Sequence, residues 1–325
     1  MIISYILYQK KLILTFSLNS TSISDKLSKK EVAILSKTKA NLLLLAAAMI
    51  WGAGFIFSKQ ATDANIPVGL INGFRGLIFA LLTLVIFYKE VRQLKLADWK
   101  IGLTAGTINF LGYQVQTLGL KETTPANNAF LTATYILMIP LIGWLVFKKA
   151  PDKALIGPIC LSIIGMLFLT NFIQTGFHLQ RGDALTLLCA FIYAIQIIYF
   201  GISAKLIHPW RLSFMLAVCQ SAMGFSWSLL FERAQFSQAH FIQGFLPIIF
   251  LGIFSSFIGQ SLQLLGQRYT DESTAGLILM NEALFGSILS VIFGFEPLSW
   301  HLLFGGIMIM FAILLTQLQS MKTTN

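Results

Sequence analysis

Charge is what this chain has least of. Asp, Glu, Lys and Arg make up only 11% of its 325 residues, against 56% hydrophobic residues and a mean hydropathy of +0.76. A soluble domain carries about a quarter charged residues to cover its surface, so a soluble fold is excluded for nearly the whole length. Cysteine is also scarce. Cys160, Cys189 and Cys219 form no CxxC pair and each lies in an apolar segment. That excludes a disulfide framework and predicts buried free thiols packing as small hydrophobes. His178, His208, His240 and His301 are scattered without ligand spacing, so no metal site is expected. No phosphate-binding glycine loop occurs, and no cofactor is expected.

What the chain does have is a succession of apolar segments long enough to cross a hydrocarbon core of about 30 Å. Ten are predicted, at approximately 41–58, 67–88, 101–120, 125–147, 154–171, 182–200, 212–231, 244–264, 273–294 and 299–317. Pro67, Pro125, Pro151, the Arg181-Gly182-Asp183 turn, His208-Pro209 and Pro297 punctuate them. Before them, MIISYILYQKKLILTFSLNS is broken by Gln9, Lys10 and Lys11. It makes a poor signal peptide and a poor span, so residues 1–40 are expected to be a cytoplasmic extension, and 318–325 a cytoplasmic tail.

The net charge of +10 would suit a polyanionic partner, but its distribution points elsewhere. With the amino terminus placed inside, 18 basic residues fall on the cytoplasmic side, in segments such as Lys26–Lys39, Lys89–Lys100 and Lys148–Lys153. Four fall outside, Lys59, Lys121, Arg181 and Arg233, and Arg75 lies within a span. This is the positive-inside asymmetry, which predicts both termini in the cytoplasm. The basic balance reports topology, so no nucleic acid partner is expected.

Residues 112–123, GYQVQTLGLKET, recur 147 positions later as GQSLQLLGQRYT. Gly112, Gln116, Leu118, Gly119 and Thr123 meet Gly259, Gln263, Leu265, Gly266 and Thr270. Both copies take the same place in a block of five spans. Five is odd, so the second block runs upside down through the bilayer. The expectation is therefore an all-α polytopic membrane protein of ten transmembrane helices in two inverted five-helix repeats, 41–171 and 182–317. That is an architecture of secondary transporters.

Polar residues inside these spans form stripes. Asn109, Tyr113 and Gln116 share one helical face, and Ser256, Gln260, Gln263 and Gln267 share another, at i, i+4, i+7 spacing. Facing lipid, such amides would go unsatisfied in hydrocarbon. The stripes either bond neighbouring helices and fix packing or line a central cavity; their matched positions favour the cavity. Trp51, Tyr193 and Gln196 add weaker signals, as does Asn281 beside Glu282. Under the same shift Tyr135 meets Glu282, an aromatic hydroxyl against a carboxylate.

Two ionisable residues lie near the middle of spans, Arg75 and Glu282. An intramembrane charge is a functional candidate by default. Glu282 either faces the pathway, binding a substrate amine or carrying a proton with Arg75 as its counter-charge, or the two serve packing alone.

Several segments together resemble the drug/metabolite transporter superfamily, specifically its EamA-type members. They are AAAMIWGAGFIFSK with Trp51-Gly52, INGFRGLIFALL with Arg75, and the short junction GLKETTPANNAFL. The second half answers with GQRYTDESTAGLI and LMNEALFGSILSVIFGFEPLSW, which carries Glu282 and Glu296. The first half departs from the pattern, with Tyr135 where a Glu corresponds and Lys148-Lys149 where a Gly-Glu is frequent. The resemblance implies ten helices around a central substrate cavity and export of amino acids or other small metabolites from bacterial cells.

The expected function is a secondary carrier of the bacterial inner membrane working by alternating access, and not an enzyme. Its expected partners are a small-molecule substrate and the lipid bilayer, and a monomer suffices. Trp51, Asn109, Tyr113, Gln116, Tyr135, Tyr193, Gln196, Gln260, Gln263, Asn281 and Glu282 are the expected substrate contacts, with Glu282 and Arg75 as the coupling charges. The alternatives are a membrane-embedded enzyme, or a carrier of drugs or sugar derivatives.

Overall fold

A computed structural model describes residues 35–147, 156–169 and 180–323. Most of the amino-terminal extension, Lys148-Lys149, and the loops after spans four and five lie outside the described residues.

The helices start where the local sequence says they should. The Ser36 hydroxyl accepts the Lys39 N–H at 3.3 Å and opens α1, Lys37–Asp63. Thr124 accepts from Asn127 and Pro125 takes the first helical position of α5, Pro125–Ala133; Asp271 accepts from Thr274 to open α12, Glu272–Leu279. Between these lie α2, Val68–Ile86, the short α3, Tyr88–Val91, and α4, Leu96–Lys121. They are followed by α6, Tyr135–Phe147, α7, Ile156–Leu169, α8, Arg181–Leu206, α9, Pro209–Phe231, and α10, Phe241–Phe250. A π-helical stretch, Leu251–Gly259, runs from α10 into α11, Gln260–Gln267. The last two helices are α13, Asn281–Ile292, and α14, Trp300–Thr323. No strand occurs among the described residues.

Seven helical segments are long and apolar enough to cross a membrane: Lys37–Asp63, Val68–Ile86, Pro125–Leu145, Arg181–Leu206, Pro209–Phe231, Phe241–Gln267 and Thr274–Ile292. Ile156–Gly165 and Trp300–Ala312 are shorter apolar helices. Helix α4 has the length, 26 residues, but Asn109, Tyr113, Gln114 and Gln116 dilute its hydropathy. Leu81, Val85, Ile242, Leu246, Ile292 and Ile307 stay exposed on the outside of the bundle, as a hydrocarbon solvent allows.

Helix α2 packs along α9, and α7 along α14. Between α2 and α9 the backbones nearly touch: a Cβ on Gly76 would sit 2.5 Å from the Ser221 nitrogen, the close approach that small residues permit in membranes. At the end of that pair Glu232 accepts the Gly69 N–H at 2.9 Å, capping α2.

Helix α4 lies against α8, and α11 against α1, and several contacts correspond between the two pairs. Gly112 faces the Tyr193 ring as Gly259 faces Trp51; Gly119 faces Thr186 and the Gly182 carbonyl as Gly266 faces Leu44 and the Ala40 carbonyl. The Thr123 hydroxyl donates to Asp183 at 3.0 Å, and the Thr270 hydroxyl donates to Asn41 at 3.1 Å. Each of these named residues of the first pair maps onto the second by one shift along α4 and α11 and another along α8 and α1.

Two spans predicted as continuous are broken. The first breaks at Thr134, between α5 and α6, where the Leu137 N–H turns back to the Thr134 carbonyl; the second breaks at Met280, between α12 and α13, with Ala283 bonded to Met280. These tighter three-residue bonds release backbone groups, and the Thr134 hydroxyl takes the Leu131 carbonyl at 2.6 Å. The α4–α5 junction is heavily tied. Lys59 Nζ donates to the Leu120 carbonyl at 3.4 Å and Arg181 pairs with Glu122 at 3.5 Å. Glu296 accepts from Thr124 Oγ1 and the Ala126 N–H, both at 3.1 Å, and from Ser290 Oγ at 2.6 Å. An anionic group at a helix start and a cation at a helix end both complement the helix dipole.

Cys189 and Cys219 are buried thiols as expected, whereas Cys160 is exposed. Its helix α7 packs mainly along α14, and this position faces away from the protein.

Candidate functional site

The central cavity is small, about 40 Å³, and is lined by residues from α1, α2, α4, α6, α8, the π-helical stretch, α11, α12 and α13. Of the residues expected from sequence, Trp51, Arg75, Tyr113, Gln116, Tyr135, Tyr193, Gln196, Gln260, Gln263 and Glu282 line it. Both helix breaks lead into it, since Tyr135 follows Thr134 directly and Glu282 lies two residues past Met280.

Asn109 is fully buried behind the wall and acts as its hub. Its Oδ1 accepts from Gln196 Nε2 at 2.6 Å and from Gln260 Nε2 at 2.9 Å, and its Nδ2 donates to Gln220 Oε1 at 3.3 Å. Gln260 also donates to the Tyr113 hydroxyl at 2.9 Å. Gln116 accepts from the Tyr193 hydroxyl at 3.1 Å and donates to Thr132 at 3.4 Å. The Tyr113 and Tyr193 rings meet edge to face with centroids 6.0 Å apart. Trp51 donates its indole N–H to the Ser255 carbonyl at 2.9 Å, which fixes the ring against the cavity. The Gln260 and Gln263 side-chain oxygens are buried without a partner among the described residues. A carbonyl oxygen stranded in this way is an acceptor held ready for an N–H or O–H donor.

Arg75 is 1% exposed. Its Nε donates to Ser256 Oγ and its Nη2 to Ser255 Oγ, each at 2.9 Å, and its guanidinium carbon sits 4.0 Å from the Tyr113 ring centroid. The expected pairing with Glu282 is not formed: neither residue takes part in any ion pair among the described residues. Glu282, 5% exposed, instead shares the cavity wall with Tyr135. The two charges share one cavity without neutralising one another.

Asn281 is not brought to the cavity; its Nδ2 turns back to the Ile278 carbonyl at 2.9 Å, closing the break in its own span. Phe55, Thr117, Leu120, Ile197, Ser255 and Leu279 line the cavity and were not expected from sequence. Ser255 was missed because a helix read at 3.6 residues per turn puts it about 100° from Ser256. The π-helical turn lets one guanidinium reach both. The remaining five are apolar or small residues whose role depends on which helices flank them. A larger groove of about 550 Å³ between α13 and α14 is lined by apolar residues such as Leu284, Ile288 and Leu302, with Ser287 the only polar one. It offers no means of recognising a polar solute.

Apolar helices enclosing a cavity of buried amides, tyrosines and two ionisable residues that form no ion pair among the described residues define a polytopic membrane protein. The profile of the EamA-like transporter family matches residues 38–171 and again 180–318. An uncharacterized transporter of Archaeoglobus fulgidus is 34% identical over 283 residues, covering 86% of each chain. A solved crystal structure superposes with a TM-score of 0.66 over 89% of this chain and 100% of the other; at 17% identity that likeness concerns the fold alone. The chain belongs to the EamA-like transporter family and is a membrane transporter.

Proposed function

We propose that the protein is a secondary carrier for amino acids or other small metabolites, working outward across the inner membrane by alternating access. It has ten transmembrane helices in two inverted repeats, with both termini in the cytoplasm. One observation carries the reading. Three glycine and threonine contacts between α4 and α8 recur between α11 and α1 under constant shifts, beside a cavity lined by Tyr113 and Gln116 of one stripe and Gln260 and Gln263 of the other. Two matches to one family profile in a single chain support the same division. Two structurally equivalent halves can exchange conformations, so that a cavity closed toward one face opens toward the other.

At about 40 Å³, the cavity holds water but not a metabolite; pockets for drug-sized ligands run to roughly 300 Å³ and more. Opening therefore requires the halves to separate. The α4–α5 junction, tied by Lys59, Arg181, Asp183 and Glu296, would release on one face. Glu282 binds the substrate amine or carries the coupling proton. Gln116, Gln260 and Gln263 supply hydrogen bonds, and Trp51, Tyr135 and Tyr193 shape the walls.

The test is flux into proteoliposomes from an amino acid mixture. The double substitution Gln116→Leu plus Gln263→Leu is expected to abolish flux; transport unchanged from wild type would sink the proposal. An unaltered pH dependence of exchange in Glu282→Gln would remove Glu282 as the proton carrier.

A further inference from the structure

Arg75 is held at the cavity with its charge unanswered. A guanidinium taken out of water is costly unless an anion compensates it. Here its partners are two serine hydroxyls and one aromatic face, all neutral. No carboxylate of the described residues pairs with it. The hydroxyls use Nε and Nη2, which leaves Nη1 without a hydrogen bond among the described residues, at a residue that lines the cavity. The two serines come from the π-helical stretch, and together they fix the plane of the guanidinium. Tyr113 is held in turn by the amide of Gln260. This is a built site: a planar donor group, oriented by neighbours that contribute no negative charge, at the edge of a cavity.

From this geometry we infer that Arg75 is the receptor for a carboxylate on the transported molecule, and so a residue that determines specificity. The inference rests on the carrier reading above and narrows it, because the solute must bring the negative charge that the protein omits. A carboxylate suits a planar fork through parallel N–H···O bonds. Glu282 is left free to meet a positive group elsewhere on the same solute or a proton. Solutes lacking an anionic group would leave the guanidinium uncompensated and bind more weakly.

The experiment uses the full-length protein in detergent and in liposomes. Ligand-induced thermal stabilisation is measured against three probe sets: the standard amino acids, the corresponding amino acid amides, and short-chain monocarboxylic acids. Wild type is expected to be stabilised by members of the first set and, more weakly, by their amides. Arg75→Gln should weaken the best amino acid by about 10–100-fold, the value of a charge-assisted bond, and leave amide binding unchanged. Arg75→Lys, which keeps the charge without the fork, should fall between. Ser256→Ala, which leaves Arg75 in place but less well oriented, should weaken binding severalfold and guards against a folding defect in Arg75→Gln.

Equal stabilisation of wild type by amino acids and amides would overturn the inference. So would the absence of any stabilisation by either carboxylate set, or an equal loss for amino acid and amide in Arg75→Gln. That last result is the one expected if Arg75 merely ties α2 to the π-helical stretch. Flux of an uncharged or purely cationic solute that survives Arg75→Gln would leave the carrier reading standing and remove the carboxylate site.

Discussion

Replacing Asn109 by Leu tests whether the cavity wall hangs on one buried amide. The substitution conserves volume approximately and deletes three hydrogen bonds, to Gln196, Gln260 and Gln220. Their consequences differ. Gln260 keeps the Tyr113 hydroxyl, so its nitrogen stays satisfied. The Gln196 nitrogen and the Gln220 oxygen have no other partner among the described residues and would be stranded. A stranded buried polar group costs about 1–3 kcal/mol, although interhelical bonds within membranes average nearer about 0.6 kcal/mol. Two stranded groups plus one lost bond give an expected destabilisation of about 2–4 kcal/mol. The internal control is Asn72→Leu, which removes a single bond to Gln114 from a pair that already leaves Asn72 Oδ1 and Gln114 Nε2 without partners. Its expected effect is about 1 kcal/mol. Equilibrium unfolding in mixed micelles with increasing SDS measures both. If Asn109→Leu proves no more destabilising than Asn72→Leu, the hub argument fails. A double-mutant cycle between Asn109→Leu and Gln196→Leu should show coupling of about 1 kcal/mol, since neighbours that share a bond are not additive.

Other outcomes are specific as well. Gly112→Ala and Gly259→Ala place a methyl against the Tyr193 ring and the Trp51 indole; each should destabilise by about 1–3 kcal/mol and lower flux, and a neutral result for either in the same unfolding assay would contradict the close packing. Glu296→Ala removes three bonds at the start of α5 and should cost about 2 kcal/mol by thermal unfolding, with Glu296→Gln retaining part of it. For topology, a cysteine replacing the exposed Lys121 should react with an impermeant maleimide on intact cells, and one replacing the exposed Arg92 only after permeabilisation; reversed labelling refutes the orientation.

The sequence carried much of this plan because the polar stripes fall in helices long enough to keep their register. Tyr113, Gln116, Gln260 and Gln263 were placed on the cavity by spacing alone, and all four line it. Asn109 shares their face but sits behind the wall, because depth within a bundle is set by the helices that pack there, here α8 and α9. The breaks at Thr134 and Met280 carry no proline or glycine at the break itself, so nothing local announces them. The partners of Arg75 lie 180 and 181 positions away in a π-helical turn, where the ordinary helical period does not hold. Pairing Arg75 with Glu282 was a reasonable guess from charge alone. The fold instead gave the cation neutral partners.

The bonds from Thr123 to Asp183 and from Thr270 to Asn41 occupy matching positions in the α4–α8 and α11–α1 pairs, yet one acceptor is a carboxylate and the other an amide. A substitution at Asp183 changes the strength of one closure without touching the other, and Asn41 does the reverse. Neither residue lines the cavity. Under the alternating-access proposal, the resting preference would therefore drift in evolution independently of what is carried, and relatives with similar binding walls would differ in their preferred direction of travel.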